Sequence, residues 1–108
     1  MRPAKRVEVE DIPDLNPGEY AKINGSWCVC MPAKPVNQHD DAPPWWGRWS
    51  AQITGNQSCN WDVVEHLDGR ITVSPSIKQE HCGFVWHGFL QDGNWVTCAD
   101  TTVEEVPF

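Results

Sequence analysis

The stretch His87-Gly-Phe-Leu-Gln-Asp-Gly-Asn-Trp-Val-Thr-Cys98 decides how the C-terminal third of this chain folds. Asp92-Gly93 is the signature of a two-residue type I′ turn, whose central positions both need residues that tolerate positive φ. Counting outward pairs Gln91 with Asn94, Leu90 with Trp95, Phe89 with Val96, Gly88 with Thr97 and His87 with Cys98. Residues facing each other across an antiparallel pair are close neighbours. An imidazole and a thiol therefore meet, which is half of a zinc site.

The same turn signal recurs upstream. Asn24-Gly25 joins residues 20–23 to residues 27–30, and Asp68-Gly69 joins residues 61–67 to residues 70–74. A two-residue loop at Asp68-Gly69 pairs Leu67 with Arg70, His66 with Ile71, Glu65 with Thr72 and Val64 with Val73. That register puts Val64, Val73, His66 and Ile71 on one side. Pro75 is expected to end this strand, because proline cannot donate to a ladder. Val103-Glu-Glu-Val106 suggests a short closing strand. Nine prolines and eight glycines interrupt the chain often, and no helix-length period or internal repeat is present. The expected fold is all-β or nearly so: a small domain of consecutive antiparallel hairpins, stapled by zinc.

At 108 residues the chain has the length of one domain. Residues 1–16 read as a flexible charged lead-in in which Val7-Glu-Val-Glu10 alternates weakly, as an edge strand does. Residues 17–108 form the β-rich domain. A surface loop is expected at residues 31–44, which hold four prolines and the Asp40-Asp41 pair. Hydrophobic residues make up 40% of the chain and seven are tryptophans, enough for a real core in a small protein.

Fifteen acidic residues against eight lysines and arginines give a formal net charge of −7. Three of the cations, Arg2, Lys5 and Arg6, lie in the lead-in, so the remainder is more acidic still. Such a surface repels phosphate backbones and disfavours direct nucleic-acid binding. It suits solubility, a basic protein partner, or mimicry of nucleic acid. No apolar stretch reaches the length of a membrane span, and the first twenty residues lack a signal-peptide apolar region. Five cysteines are an odd number, and the expected setting is the reducing cytoplasm.

Cys28-Val-Cys30 sets two thiols on one face of a strand. With His87 and Cys98 they make up a closed four-ligand zinc site, and His81 and Cys82 compete as ligands. The bland alternative is that these are inert buried thiols. A hydrolytic zinc formed by His81, Cys82 and His87 beside Glu80, or a Cys98 nucleophile activated by His87, are the enzymatic alternatives. No Ser-His-Asp order, phosphate loop or paired acidic motif is apparent, so no catalytic residue is assigned. Trp45, Trp46 and Trp49 follow Pro43-Pro44. The adjacent pair cannot both face inward, and an exposed tryptophan beside Arg48 has the composition of a protein-binding site. Packing of these rings in the core or beneath the loop is the competing reading.

Ser74-Pro-Ser-Ile77 followed by Trp86-His-Gly-Phe-Leu-Gln-Asp-Gly93 resembles a family of small proteins of unknown function. They are encoded by actinobacterial phages and some bacteria and are sometimes mislabelled as ammonia monooxygenase. The likeness is loose over residues 27–98 and specific only over residues 74–93. Family members carry a cysteine knuckle where Cys28 and Cys30 stand, a strand tryptophan matching Trp61, a histidine matching His87 and a later cysteine matching Cys98. This chain departs from them in lacking the Cys-x-x-Cys-Gly form and in having Trp86 in place of the cysteine beside His87. The resemblance implies a phage origin and a cytoplasmic life in the infected host. The functional expectation is a small acidic accessory protein that binds a host or phage protein, inhibiting a host enzyme or defence complex, with a structural zinc. A metal-dependent hydrolase and a virion or assembly component are the alternatives.

Overall fold

The computed structural model describes residues 2–36, 40–43 and 46–107. Its strands are β1 (Arg2–Pro3), β2 (Lys5–Arg6), β3 (Glu19–Ile23), β4 (Ser26–Cys30), β5 (Ser50–Gln52), β6 (Asp62–Glu65), β7 (Ile71–His81), β8 (Phe84–Gln91) and β9 (Asn94–Thr97). They form a five-stranded sheet in the order β1-β9-β8-β7-β6 and a four-stranded sheet in the order β2-β3-β4-β5. All pairings are antiparallel except β2 with β3. The fold is thus nearly all β, as expected. Among the described residues the only helical segment is a single 3-10 turn, Ile12–Asp14, and no helix is long and apolar enough to cross a membrane.

Strand alternation builds the core. Tyr20, Trp27 and Val29 of the four-stranded sheet meet Ile71, Val73, Ile77, Trp86, Leu90 and Trp95 of the other sheet in one buried cluster. Two side chains also tie the sheets together by hydrogen bonds. The Trp95 indole N–H donates to the Gly18 carbonyl at 3.0 Å, and the Tyr20 hydroxyl donates to the Gly69 carbonyl at 3.2 Å. Burying these polar tips with partners avoids the cost of orphaned donors.

The other face of β3 and β4 carries Ala21, Ile23, Cys28 and Cys30, and here the lead-in departs from its expected form. Leu15 joins these residues in a second buried cluster, with Val7, Val9 and Ile12 packed against it. The strands of the lead-in are residues 2–3, on β9, and residues 5–6, on β3, rather than residues 7–10. Val103–Val106 likewise makes no strand. It contributes one bridge, Glu105 to Ala33, and Glu105 pairs with the Arg2 guanidinium.

Two of the three expected turns have the expected register. Asn24-Gly25 and Asp92-Gly93 take positive φ at both positions and close two-residue hairpins. At Asp68-Gly69 the register slips by one residue. The His66 amide donates to the Arg70 carbonyl, so the loop is Leu67-Asp68-Gly69, and Glu65 pairs with Ile71. A three-residue loop ending in a left-handed glycine is a standard hairpin closure. The slip reverses the faces of β6: Val63 packs on the core and Val64 is exposed.

Pro75 does not end its strand. Val73 pairs with Leu90 and Ile77 with Gly88, so β7 spends Ser74, Pro75 and Ser76 where β8 spends Phe89 alone. A bulge places proline where no ladder bond is required. Past the bulge, β7 continues to a further tight turn, Cys82-Gly83, with positive φ at both positions.

A candidate metal centre on the outer sheet face

Along β8 Trp86, Gly88 and Leu90 lie on the core face, so His87 and Phe89 face outward. The Cys98 amide donates to the His87 carbonyl at 2.8 Å, which continues the hairpin register and sets the two residues side by side as expected. After β9 the chain turns at Cys98, with the Thr101 amide bonded to the Cys98 carbonyl. Two threonine hydroxyls then take the place of a ladder. Thr101 Oγ1 bridges the amide and carbonyl of His87, and Thr102 Oγ1 accepts the Val85 amide. These bonds hold the intervening Asp100 against the imidazole.

The result is a small, directed cluster. His87, Cys98 and Asp100 each offer a ligand atom, and these atoms lie within 4.8 Å of one another. His87 Nδ1 lies 2.9 and 3.1 Å from the two carboxylate oxygens of Asp100. On the other side of the ring, Nε2 is 3.0 Å from Ser76 Oγ. The His87 side chain is 24% exposed and that of Asp100 53%, so solvent reaches the cluster. The hydrogen bond from His87 lowers the Asp100 pKa below the ordinary carboxylate value, with the charges of His87 and Lys78 acting in the same direction.

These distances suit an ion. A tetrahedral zinc holds nitrogen and oxygen donors about 3.3 Å apart and sulfur about 3.6 Å from each. The 2.9 Å between Nδ1 and the nearer Asp100 oxygen is close to that spacing, and the three ligand atoms all lie within 4.8 Å of one another, so the group could hold a metal ion. Three donors of this kind leave a coordination position open, unlike the closed four-ligand site expected from the sequence.

The four expected ligands divide between two places. His87 and Cys98 meet, but Cys28 and Cys30 do not join them. Both lie buried in the second cluster, on the far face of the four-stranded sheet. Their thiols point to the Ser26 and Met31 carbonyls at 3.8 Å, and burial raises both pKa values, that of Cys30 to about 11. They behave as the inert buried thiols of the competing reading. Cys82 occupies the exposed β7–β8 turn. His81 stacks edge-on against Trp49, with ring centroids 5.8 Å apart. Neither belongs to the His87 group.

Sequence reasoning missed Asp100 and Ser76. Asp100 sits just beyond the last strand, where only the threonine bonds fix it. Ser76 reaches His87 only because of the bulge. The tryptophan cluster is likewise split. Trp49 is 1% exposed and donates to the Lys34 carbonyl, which removes it from any surface patch; Trp46 is at the surface and Trp45 lies outside the described residues.

A thiol titration will report this partition. Cys59 and Cys82 are exposed, Cys98 is half-buried, and Cys28 and Cys30 are buried. Two thiols are expected to react with a disulfide reagent at once and Cys98 more slowly, whereas the last two should react only on unfolding. Five fast thiols in the native protein would contradict the second cluster.

No protein-family model, curated protein or solved structure matches the chain.

Proposed function

We propose that this protein is a zinc-binding β module whose ion is held by His87, Cys98 and Asp100 on the outer face of the five-stranded sheet. The observation carrying this reading is the convergence of three different donor atoms within 4.8 Å, two of them fixed by a hairpin register. A mixed nitrogen, sulfur and oxygen set suits zinc better than magnesium or calcium, which prefer oxygen throughout. Because zinc displaces the proton from Nδ1 and that of the Cys98 thiol, its affinity rises with pH. The fourth position is left for water or for a donor from a partner. An open site of that kind agrees better with the hydrolase alternative than with a purely structural ion.

The test is elemental analysis of protein purified without a metal-affinity tag, followed by cobalt substitution. About one equivalent per chain is expected, with a thiolate-to-cobalt absorption band that disappears in Cys98→Ser. His87→Ala and Asp100→Asn should each weaken binding by more than the roughly 10–100-fold lost with an outer-sphere partner. Cys28→Ser and Cys30→Ser should leave the band unchanged. A wild-type chain that takes up neither zinc nor cobalt would refute the reading.

A second reading keeps the expected host or phage protein as partner. It is favoured by Val64, 57% exposed on edge strand β6, and by Leu67, fully exposed at the neighbouring turn. The phage origin and inhibitory role implied by the family resemblance belong to this reading.

A further inference from the structure

The geometry points to a second use of the same histidine: with no metal bound, Ser76, His87 and Asp100 form an acyl-transfer relay that cleaves small carboxylic esters, and zinc switches it off. The relay goes beyond metal binding and does not depend on it; the switch rests on the zinc reading above. The order of contacts is the one such chemistry needs. A carboxylate accepts from Nδ1, and a serine hydroxyl lies within hydrogen-bond reach of Nε2, at 2.9 and 3.0 Å.

The tautomer follows from the partners. Asp100 as a carboxylate can only accept, so the proton of a neutral imidazole sits on Nδ1. The lone pair on Nε2 then faces Ser76 Oγ, and the hydroxyl must donate to it. Ser76 is itself held in place, because its carbonyl accepts the Trp61 indole N–H at 3.1 Å. Lys78, two residues along β7, is paired with His87 in the register and shares its outward face. Its positive charge favours the ionised form of Asp100, the form that accepts from Nδ1.

The steps balance without a further reactant except water. Ser76 Oγ forms a bond to the ester carbonyl carbon and passes its proton to Nε2. The tetrahedral intermediate collapses, the bond to the alcohol oxygen breaks, and that oxygen takes the proton from Nε2. Water repeats the sequence on the acyl-serine, releasing the carboxylic acid and restoring the hydroxyl. Ser76 and His87 would be the catalytic residues. Asp100 would be a positioning residue.

Zinc on Nδ1 reverses the arrangement. A neutral imidazole coordinated through Nδ1 carries its proton on Nε2, so Ser76 becomes the acceptor and the base is lost. One ion thus converts the relay into a closed hydrogen bond.

The experiment uses the full chain in chelator, treated with a fluorophosphonate probe and, separately, with 4-nitrophenyl acetate. A single phosphonyl adduct mapping to Ser76 is expected, together with ester hydrolysis. The mapping is done on the wild-type chain, so it does not rely on a variant folding. Asp100→Asn should slow labelling by about 100-fold or more while circular dichroism stays unchanged. Stoichiometric zinc should protect Ser76. The absence of an adduct in chelator, an adduct on Cys98 instead, or labelling indifferent to Asp100→Asn would each overturn the relay, even if zinc binds. Labelling of Ser76 that persists with zinc bound would overturn the switch. A chain that labels but takes up no zinc would instead refute the metal reading and the switch, leaving the relay in place.

Discussion

Deleting residues 2–15 is expected to abolish cooperative folding. From the sequence this segment reads as a charged lead-in that truncation would hardly touch. In the structure it covers the outer face of the four-stranded sheet, with Leu15 fully buried and Val7, Val9 and Ile12 packed beside it. Burying one such aliphatic side chain contributes about 1.5–3 kcal/mol. Losing Leu15 and its three half-buried companions therefore removes an amount comparable to the whole stability of a domain, about 5–15 kcal/mol. The deletion also removes one edge strand of each sheet, the Arg2–Glu105 pair, and the Pro13 and Leu15 carbonyls that receive the Arg48 guanidinium. The truncated chain should show no sigmoidal thermal transition, and its Cys28 and Cys30 thiols should react as fast as Cys59. A melting temperature within a few degrees of the full chain, with those thiols still protected, would show that the segment is dispensable. Leu15→Ala is the milder version, at about 2–5 kcal/mol.

The lead-in was illegible for a physical reason. Its apolar residues, Val7, Val9, Ile12 and Leu15, are spaced by two and then three residues, so neither the strand nor the helix period picks them out. Their burial depends on a sheet face that has to exist first. The hairpins are the opposite case. At Asn24-Gly25 and Asp92-Gly93 the turn chemistry alone sets the register, and it carries His87 to Cys98 correctly. Asp68-Gly69 shows the limit of that rule, because the same dipeptide also closes a three-residue loop. Choosing between the two requires knowing whether Val63 or Val64 meets the core. Cys82-Gly83 also closes a hairpin, but cysteine seldom takes positive φ, so the dipeptide carries no turn signal in the sequence. The candidate site was half visible: the hairpin half followed from turn chemistry. Ser76 depends on a bulge and Asp100 on threonine hydroxyls beyond the last strand, and neither leaves a period in the sequence.

Trp86→Ala is expected to cost about 3–5 kcal/mol, among the largest effects available to a single substitution here. Trp86 is fully buried and meets Trp95 edge-on, with ring centroids 5.5 Å apart and planes at 90°. That geometry adds about 0.5–1.5 kcal/mol to the area the pair buries. The ring also lies across Gly88, where an added Cβ would come within 2.7 Å of Trp86 Cη2 and 2.5 Å of the Val96 carbonyl oxygen. Glycine is therefore required beside His87 so that the indole can cover the β8 backbone, and the two residues act as one packing unit. Trp86→Phe should retain most of the stability, because the indole Nε1 makes no hydrogen bond among the described residues and its loss leaves no partner behind. The comparison is made by urea denaturation, and a loss below about 1 kcal/mol for Trp86→Ala would contradict a core built on this pair. The substitution also bears on the site. His87 lies between Trp86 and Gly88, so a cavity beneath it frees the strand that holds the imidazole. In Trp86→Ala, zinc affinity should therefore fall along with stability; in Trp86→Phe both should be kept.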